Sequence, residues 1–94
     1  MSKELNISTT DTMIIAQEEC AEVIQAISKI MRFGFDDKYK KLTNRQRLSE
    51  EVGDLLCMID LLIDKGVVVR DHVEDARVQK IKKLKKWVMK EGDE

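Results

Sequence analysis

Leu55-Leu56-Cys57-Met58-Ile59-Asp60-Leu61-Leu62-Ile63 is the stretch on which the fold turns. Stepped at about 100° per residue, its apolar side chains point in nearly every direction around a helix. A helix that is apolar all round has to be covered all round. Its flanks fix its length. Thr43-Asn44-Arg45-Gln46 reads as a capping box, with glutamine three residues after threonine, and the helix runs on to about Lys65, where Gly66 ends it. Upstream, Thr10 to about Phe33 predicts a first helix, with Thr9, Thr10 and Asp11 as candidate N-caps and Gly34 as its stop. Phe35 to Leu42 reads as a loop. Downstream, Val67-Val68-Val69 is a short connector, and Asp71 with Glu74 opens a third helix that continues to about Lys90, before Gly92.

The outer two helices are one-sided. On the first, Ile15, Ala16, Cys20, Val23, Ile24, Ala26, Ile27, Ile30 and Met31 form one broad arc; on the third, Val73, Ile81, Leu84, Trp87 and Val88 form a narrower stripe, with Trp87 read as core. Two such partners do not easily enclose the second helix. The expectation is a single all-α domain over residues 1–94, three long helices in a bundle completed by homo-oligomerisation, as a homodimer or homotetramer.

Composition agrees. Ninety-four residues without proline and with four glycines carry too few turn residues for a sandwich or barrel. At 43% apolar and 37% charged, the chain fits a soluble globular class rather than a disordered one. Its longest unbroken apolar run, Leu55 to Ile59, falls far short of the roughly 20 residues that cross a bilayer. Met1 to Asn6 shows no apolar leader segment, so a cytoplasmic location is expected. Cys20 and Cys57 stand alone among apolar neighbours and read as buried free thiols. Net charge is −1, yet residues 77–90 hold seven Lys or Arg and no acid. That stretch lacks aromatic interleaving and the acidic remainder repels phosphate backbones, so nucleic-acid binding is not expected.

The acids are placed unusually. Glu19 falls inside the first helix's apolar arc with Glu22 three residues on, and Glu51 and Asp54 repeat that spacing on the second helix beside Met58, Leu61 and Leu62. Residues three apart on a helix are neighbours, about 5–6 Å between Cβ atoms, so each pair can converge on one ion. Antiparallel packing would bring both pairs together. Four carboxylates in one apolar seam would protonate or force the helices apart unless cations compensate. An all-oxygen donor set points to hard cations, Mg²⁺ or Mn²⁺. The only histidine, His72, has no carboxylate three residues before it, which argues against a di-iron bundle. The competing account is a non-catalytic helical dimerisation module whose acids are surface charges.

Glu18-Glu19-Cys20-Ala21-Glu22 followed by Glu50-Glu51-Val52-Gly53-Asp54 resembles the ExxE…ExxD signature of MazG-like nucleotide pyrophosphohydrolases, in the all-α NTP pyrophosphatase superfamily. The order of an acidic helix, a loop, a second acidic helix and a basic helix resembles the family over most of the chain. Gly53 fits as well: a helical glycine costs about 1 kcal/mol against alanine, which suits a close approach by another helix or a bound ligand. The resemblance implies Mg²⁺-dependent hydrolysis of nucleoside triphosphates, dNTPs foremost, between the α and β phosphates. It implies Glu19, Glu22, Glu51 and Asp54 as metal ligands.

Glu18 and Glu50, adjacent to those ligands, are the candidates to activate water, though each reads equally as a solvated neighbour. Phosphate charge calls for basic partners, and Lys29, Arg32, Arg77 and Lys80 are the candidates. On the third helix the chain departs from the family, carrying Leu84 where members often have asparagine four residues after a lysine. Phe33, Phe35 and Tyr39 frame the first loop and either stack on a base or plug the rim of the core.

Overall fold

A computed structural model of the chain describes residues 5–92; the leader reading of Met1–Asn6 begins in Met1–Glu4, outside that range. The elements are α1 (Thr9–Phe33), β1 (Lys38–Tyr39), β2 (Leu42–Thr43), α2 (Asn44–Asp64) and α3 (Arg70–Gly92). No helix among the described residues is long and apolar enough to cross a membrane.

The cap of α1 is Ser8, just ahead of the residues expected. Its hydroxyl accepts the Asp11 N–H at 3.0 Å, and its carbonyl accepts both the Thr12 N–H at 2.9 Å and the Thr12 hydroxyl at 2.8 Å. Those bonds let Thr12 sink to 0% exposure without an orphaned polar atom. At the far end Gly34, at φ +92°, donates its N–H to the Ile30 carbonyl at 2.8 Å.

The segment expected to be a plain loop closes into a minimal antiparallel hairpin, with Lys38 opposite Thr43 and Tyr39 opposite Leu42. Its two-residue turn places Lys40 at φ +52° and Lys41 at φ +74°. Two positive φ angles define the primed turn that matches strand twist, normally signalled by Asn-Gly or Asp-Gly. Lys-Lys carries no such signal, which is why the sequence concealed it.

The capping box of α2 forms as expected. The Thr43 N–H donates to Gln46 Oε1 at 2.8 Å, and the Gln46 N–H donates to Thr43 Oγ1 at 3.1 Å. Asn44, 4% exposed, donates from Nδ2 to the Gly34 carbonyl at 3.0 Å and from its N–H to the Asp37 carbonyl at 3.0 Å. The end of α1 is thereby stitched to the start of α2. At the opposite end of the pair Ala16 packs on Met58 and Leu61, the latter 2% exposed, with Ile15 and Leu62 alongside. These two contacts make α1 and α2 an antiparallel hairpin.

The chain leaves α2 through a Schellman turn. Gly66, at φ +71°, donates to the Ile63 carbonyl at 3.0 Å, and Val67 donates to the Leu62 carbonyl at 2.9 Å. Beyond it the single chain packs little: among the described residues α1 and α2 lie together, and α3 packs closely on neither. The three-helix bundle is therefore not closed within one chain. Trp87, expected in the core, is 60% exposed, and Cys20 and Cys57, expected to be buried, are exposed. Met31 on α1 is 81% exposed, with Ile24 and Leu56 also largely open. Each corrected residue lies on apolar surface wider than one facing helix covers. Nor does the chain explain Gly53, since a Cβ there would meet nothing within 4 Å.

Gly66→Ala isolates one of these local costs, because no atom lies within 4 Å of the added Cβ. The strain of a left-handed alanine should lower stability by roughly 1–2 kcal/mol in denaturant titration. An unchanged midpoint would show that the turn is not left-handed in solution.

Candidate metal and phosphate site

The seam between α1 and α2 is built from two opposed rows. Along α1 the inward row passes from Ala16 through Glu19, Glu22 and Ala26 to Ile30. Along α2, running the other way, it passes from Leu61 through Met58, Asp54 and Glu51 to Arg47 and Asn44. Steps of three and four residues keep each row on one face. The same periodicity that buries Ala16, Met58 and Leu61 at one end thus turns acids inward at the middle.

One carboxylate oxygen each from Glu19, Glu51 and Asp54 lies within 4.8 Å of the others. Glu19 and Glu51 are half-buried and Asp54 is exposed. Glu19 Oε2 is shielded from solvent and accepts no hydrogen bond. Desolvation pushes the Glu19 carboxyl above its ordinary value, and repulsion from Asp54, Glu22 and Glu18 adds to it. Glu51 is raised likewise, first by desolvation and then by Glu22, Asp54, Glu19 and Glu50. Both effects disfavour the charged forms, so the cluster stores repulsion that a cation would relieve. Only oxygen donors are present, and the orphaned Glu19 oxygen has a free lone pair; the residues fit a hard divalent ion.

Beyond the acids the seam opens into a pocket of about 100 Å³ lined by Glu22, Gln25, Lys29, Asn44, Arg47 and Glu51. Two of its cations meet the hairpin's Tyr39. Lys29 Nζ lies 5.7 Å from the centre of the Tyr39 ring and the Arg47 guanidinium 5.4 Å from it. Arg47 also donates from Nη2 to the Tyr39 carbonyl.

The residues singled out in the sequence divide accordingly. Glu19, Glu51 and Asp54 converge, Glu22 exerts the strongest like-charge effect on Glu51, and Lys29 lines the pocket. Glu18 and Glu50 are exposed. Arg32 lies over the Phe33 ring, 4.9 Å from its centre. Arg77 is exposed on α3 and paired with Glu74 at 3.2 Å, with Lys80 exposed beside it along a shallow hollow. Within one chain those two are not packed against the seam. Arg47, Asn44 and Gln25 escaped the sequence reading. Arg47 carried a usable signal, since it sits four residues before Glu51 on the same row.

Glu19→Gln removes one of the repelling charges. In EDTA it should raise the melting temperature by a few degrees, because the seam loses a desolvated carboxylate. A lower melting temperature would mean that the Glu19 charge is already compensated.

The model of the MazG nucleotide pyrophosphohydrolase domain matches residues 8–89, a span that takes in α1, the hairpin, α2 and nearly all of α3. Among curated proteins and among solved structures, no match to the chain is found. A match over that much of the chain, on a helical pair whose inward rows carry both acid motifs, places it: the chain belongs to the MazG nucleotide pyrophosphohydrolase family.

Proposed function

We propose that the chain hydrolyses nucleoside triphosphates, dNTPs foremost, to the monophosphate and pyrophosphate, in a Mg²⁺-dependent reaction that clears nucleotides from the cytoplasmic pool. The observation that carries this reading is the convergence of Glu19, Glu51 and Asp54 beside a small pocket with two cations. Glu19, Glu22, Glu51 and Asp54 would hold the Mg²⁺, with Mn²⁺ as a substitute. When bound, such an ion polarises phosphoryl oxygens and lowers the pKa of coordinated water.

The protein's own groups do the rest. Lys29 neutralises phosphate charge from the pocket wall, and Arg32 adds positive field at the end of α1. Glu18 and Glu50, exposed beside the ligand carboxylates, are free to accept the proton of the attacking water. Arg77 and Lys80 belong to a helix that does not pack on the pair in one chain, so any phosphate contact of theirs belongs to the assembled oligomer.

That oligomer, a homodimer or homotetramer, is part of the reading. The chain exposes 7841 Å², against about 5,600 Å² expected of a compact monomer of this mass. Its radius of gyration is 16.8 Å, against about 12 Å for a compact chain of this length. The excess area is larger than the ~800 Å² that each partner contributes to a standard interface. The apolar surfaces of Ile24, Met31, Leu56 and the α3 stripe contribute to it.

Pyrophosphate release should be seen when common NTPs and dNTPs are screened with Mg²⁺ or Mn²⁺, and Glu51→Gln should lower kcat by about two orders of magnitude or more. Failure of every triphosphate with both ions would sink the catalytic reading. Separately, light scattering on the eluting protein at micromolar concentration should give at least twice the chain mass. A monomer there would remove the oligomer.

A further inference from the structure

Arg47 presents a puzzle that the acid cluster does not solve. It lines a pocket with Glu22 and Glu51, yet it forms no ion pair with either; the salt bridges among the described residues are Arg45–Asp36 and Arg77–Glu74. It is nonetheless held in place. Nη2 donates to the Tyr39 carbonyl and the guanidinium lies against the Tyr39 ring, 5.4 Å from its centre. Its Nε is shielded from solvent and has no acceptor. A desolvated guanidinium donor left unmatched is costly, and a shift of the side chain toward an acceptor in the pocket would remove the cost.

The pocket's charge indicates the kind of acceptor. The pocket is small, about 100 Å³, and apart from Ala26 its lining is polar or charged. Lys29 from α1 and Arg47 from α2 both bear on the same ring, so two cations are gathered at one end of the seam. The carboxylates that suit a metal lie one helical turn along from Arg47. A polyphosphate laid along the seam meets cation-seeking groups first and anion-seeking groups at its end.

We infer that Arg47, braced by Tyr39, is a substrate-binding residue that grips the terminal phosphoryl group of a nucleoside triphosphate and then the pyrophosphate product. The inference rests on the pyrophosphohydrolase reading above and adds to it a residue and an orientation: the triphosphate tail points toward the hairpin. The planar fork suits a phosphate in a way lysine does not.

Steady-state kinetics on Arg47→Gln and Arg47→Lys test it, with Mg²⁺ pyrophosphate as product inhibitor. Arg47→Gln should raise KM for the triphosphate and the inhibition constant for pyrophosphate by about 10- to 100-fold, with kcat within a few-fold. Arg47→Lys, keeping charge but not the fork, should raise both by about 3- to 10-fold. If Arg47→Gln does not fold, Arg47→Lys alone decides. Unchanged constants in a folded variant overturn the inference. So does a fall in melting temperature and kcat with KM unchanged, which would make Arg47 only a tie for the hairpin. Should the wild-type chain turn over no triphosphate, the pyrophosphohydrolase reading fails; calorimetric binding of Mg²⁺ pyrophosphate to wild type and both variants then decides Arg47 by itself.

Discussion

Repulsion among carboxylates held in a half-buried seam is the constraint around which this molecule is organised. Glu19, Glu51 and Asp54 crowd within 4.8 Å of one another, and desolvation adds to the cost of keeping Glu19 and Glu51 charged. Nothing in the acids themselves keeps α1 and α2 together. Contacts on either side do so: the apolar cluster of Ala16, Met58 and Leu61 at one end, and the hydrogen bond from Asn44 to the Gly34 carbonyl at the other. The seam is a clamp, closed at both ends and electrostatically sprung in the middle. On the proposed reading, a divalent ion and a polyphosphate are what release the spring.

The hairpin earns its place through this clamp. Two strands of two residues each contribute little stability of their own. They do set the Tyr39 ring against Lys29, Lys40 and Arg47. Cations packed on an aromatic face remain available to a ligand, whereas cations paired with Glu22 or Glu51 would be spent. An aromatic brace therefore keeps positive charge beside negative charge without letting the two cancel.

The outer surface follows a different logic. Among the described residues, full burial is confined to α1 and α2, while Met31, Ile24, Leu56 and Trp87 stay open. An isolated chain with so much apolar area exposed is a poor end state, because each Å² left in water forgoes about 25 cal/mol. A second copy is the proposed cover. That arrangement would also give α3, with its basic residues, something to pack against.

Local signals written in the chain set the secondary structure. The Thr43–Gln46 box, the glycine stops and the three-and-four-residue apolar rows are short-range features, and the helices lie close to where they place them. The same rows put Glu19 and Glu51 on inward faces, so the acidic half of the site was legible in one dimension. Its basic half was legible only in part. Lys29 was readable as a phosphate partner and Arg47 lies on the Glu51 row, but the Tyr39 ring that both cations meet is placed by a Lys-Lys turn with two positive φ angles, which has no sequence signature. Likewise, periodicity identified the apolar sides of Trp87, Cys20 and Cys57 but not what would cover them. Amphipathicity states that a face needs a partner; only the packing of whole helices determines whether the same chain supplies one.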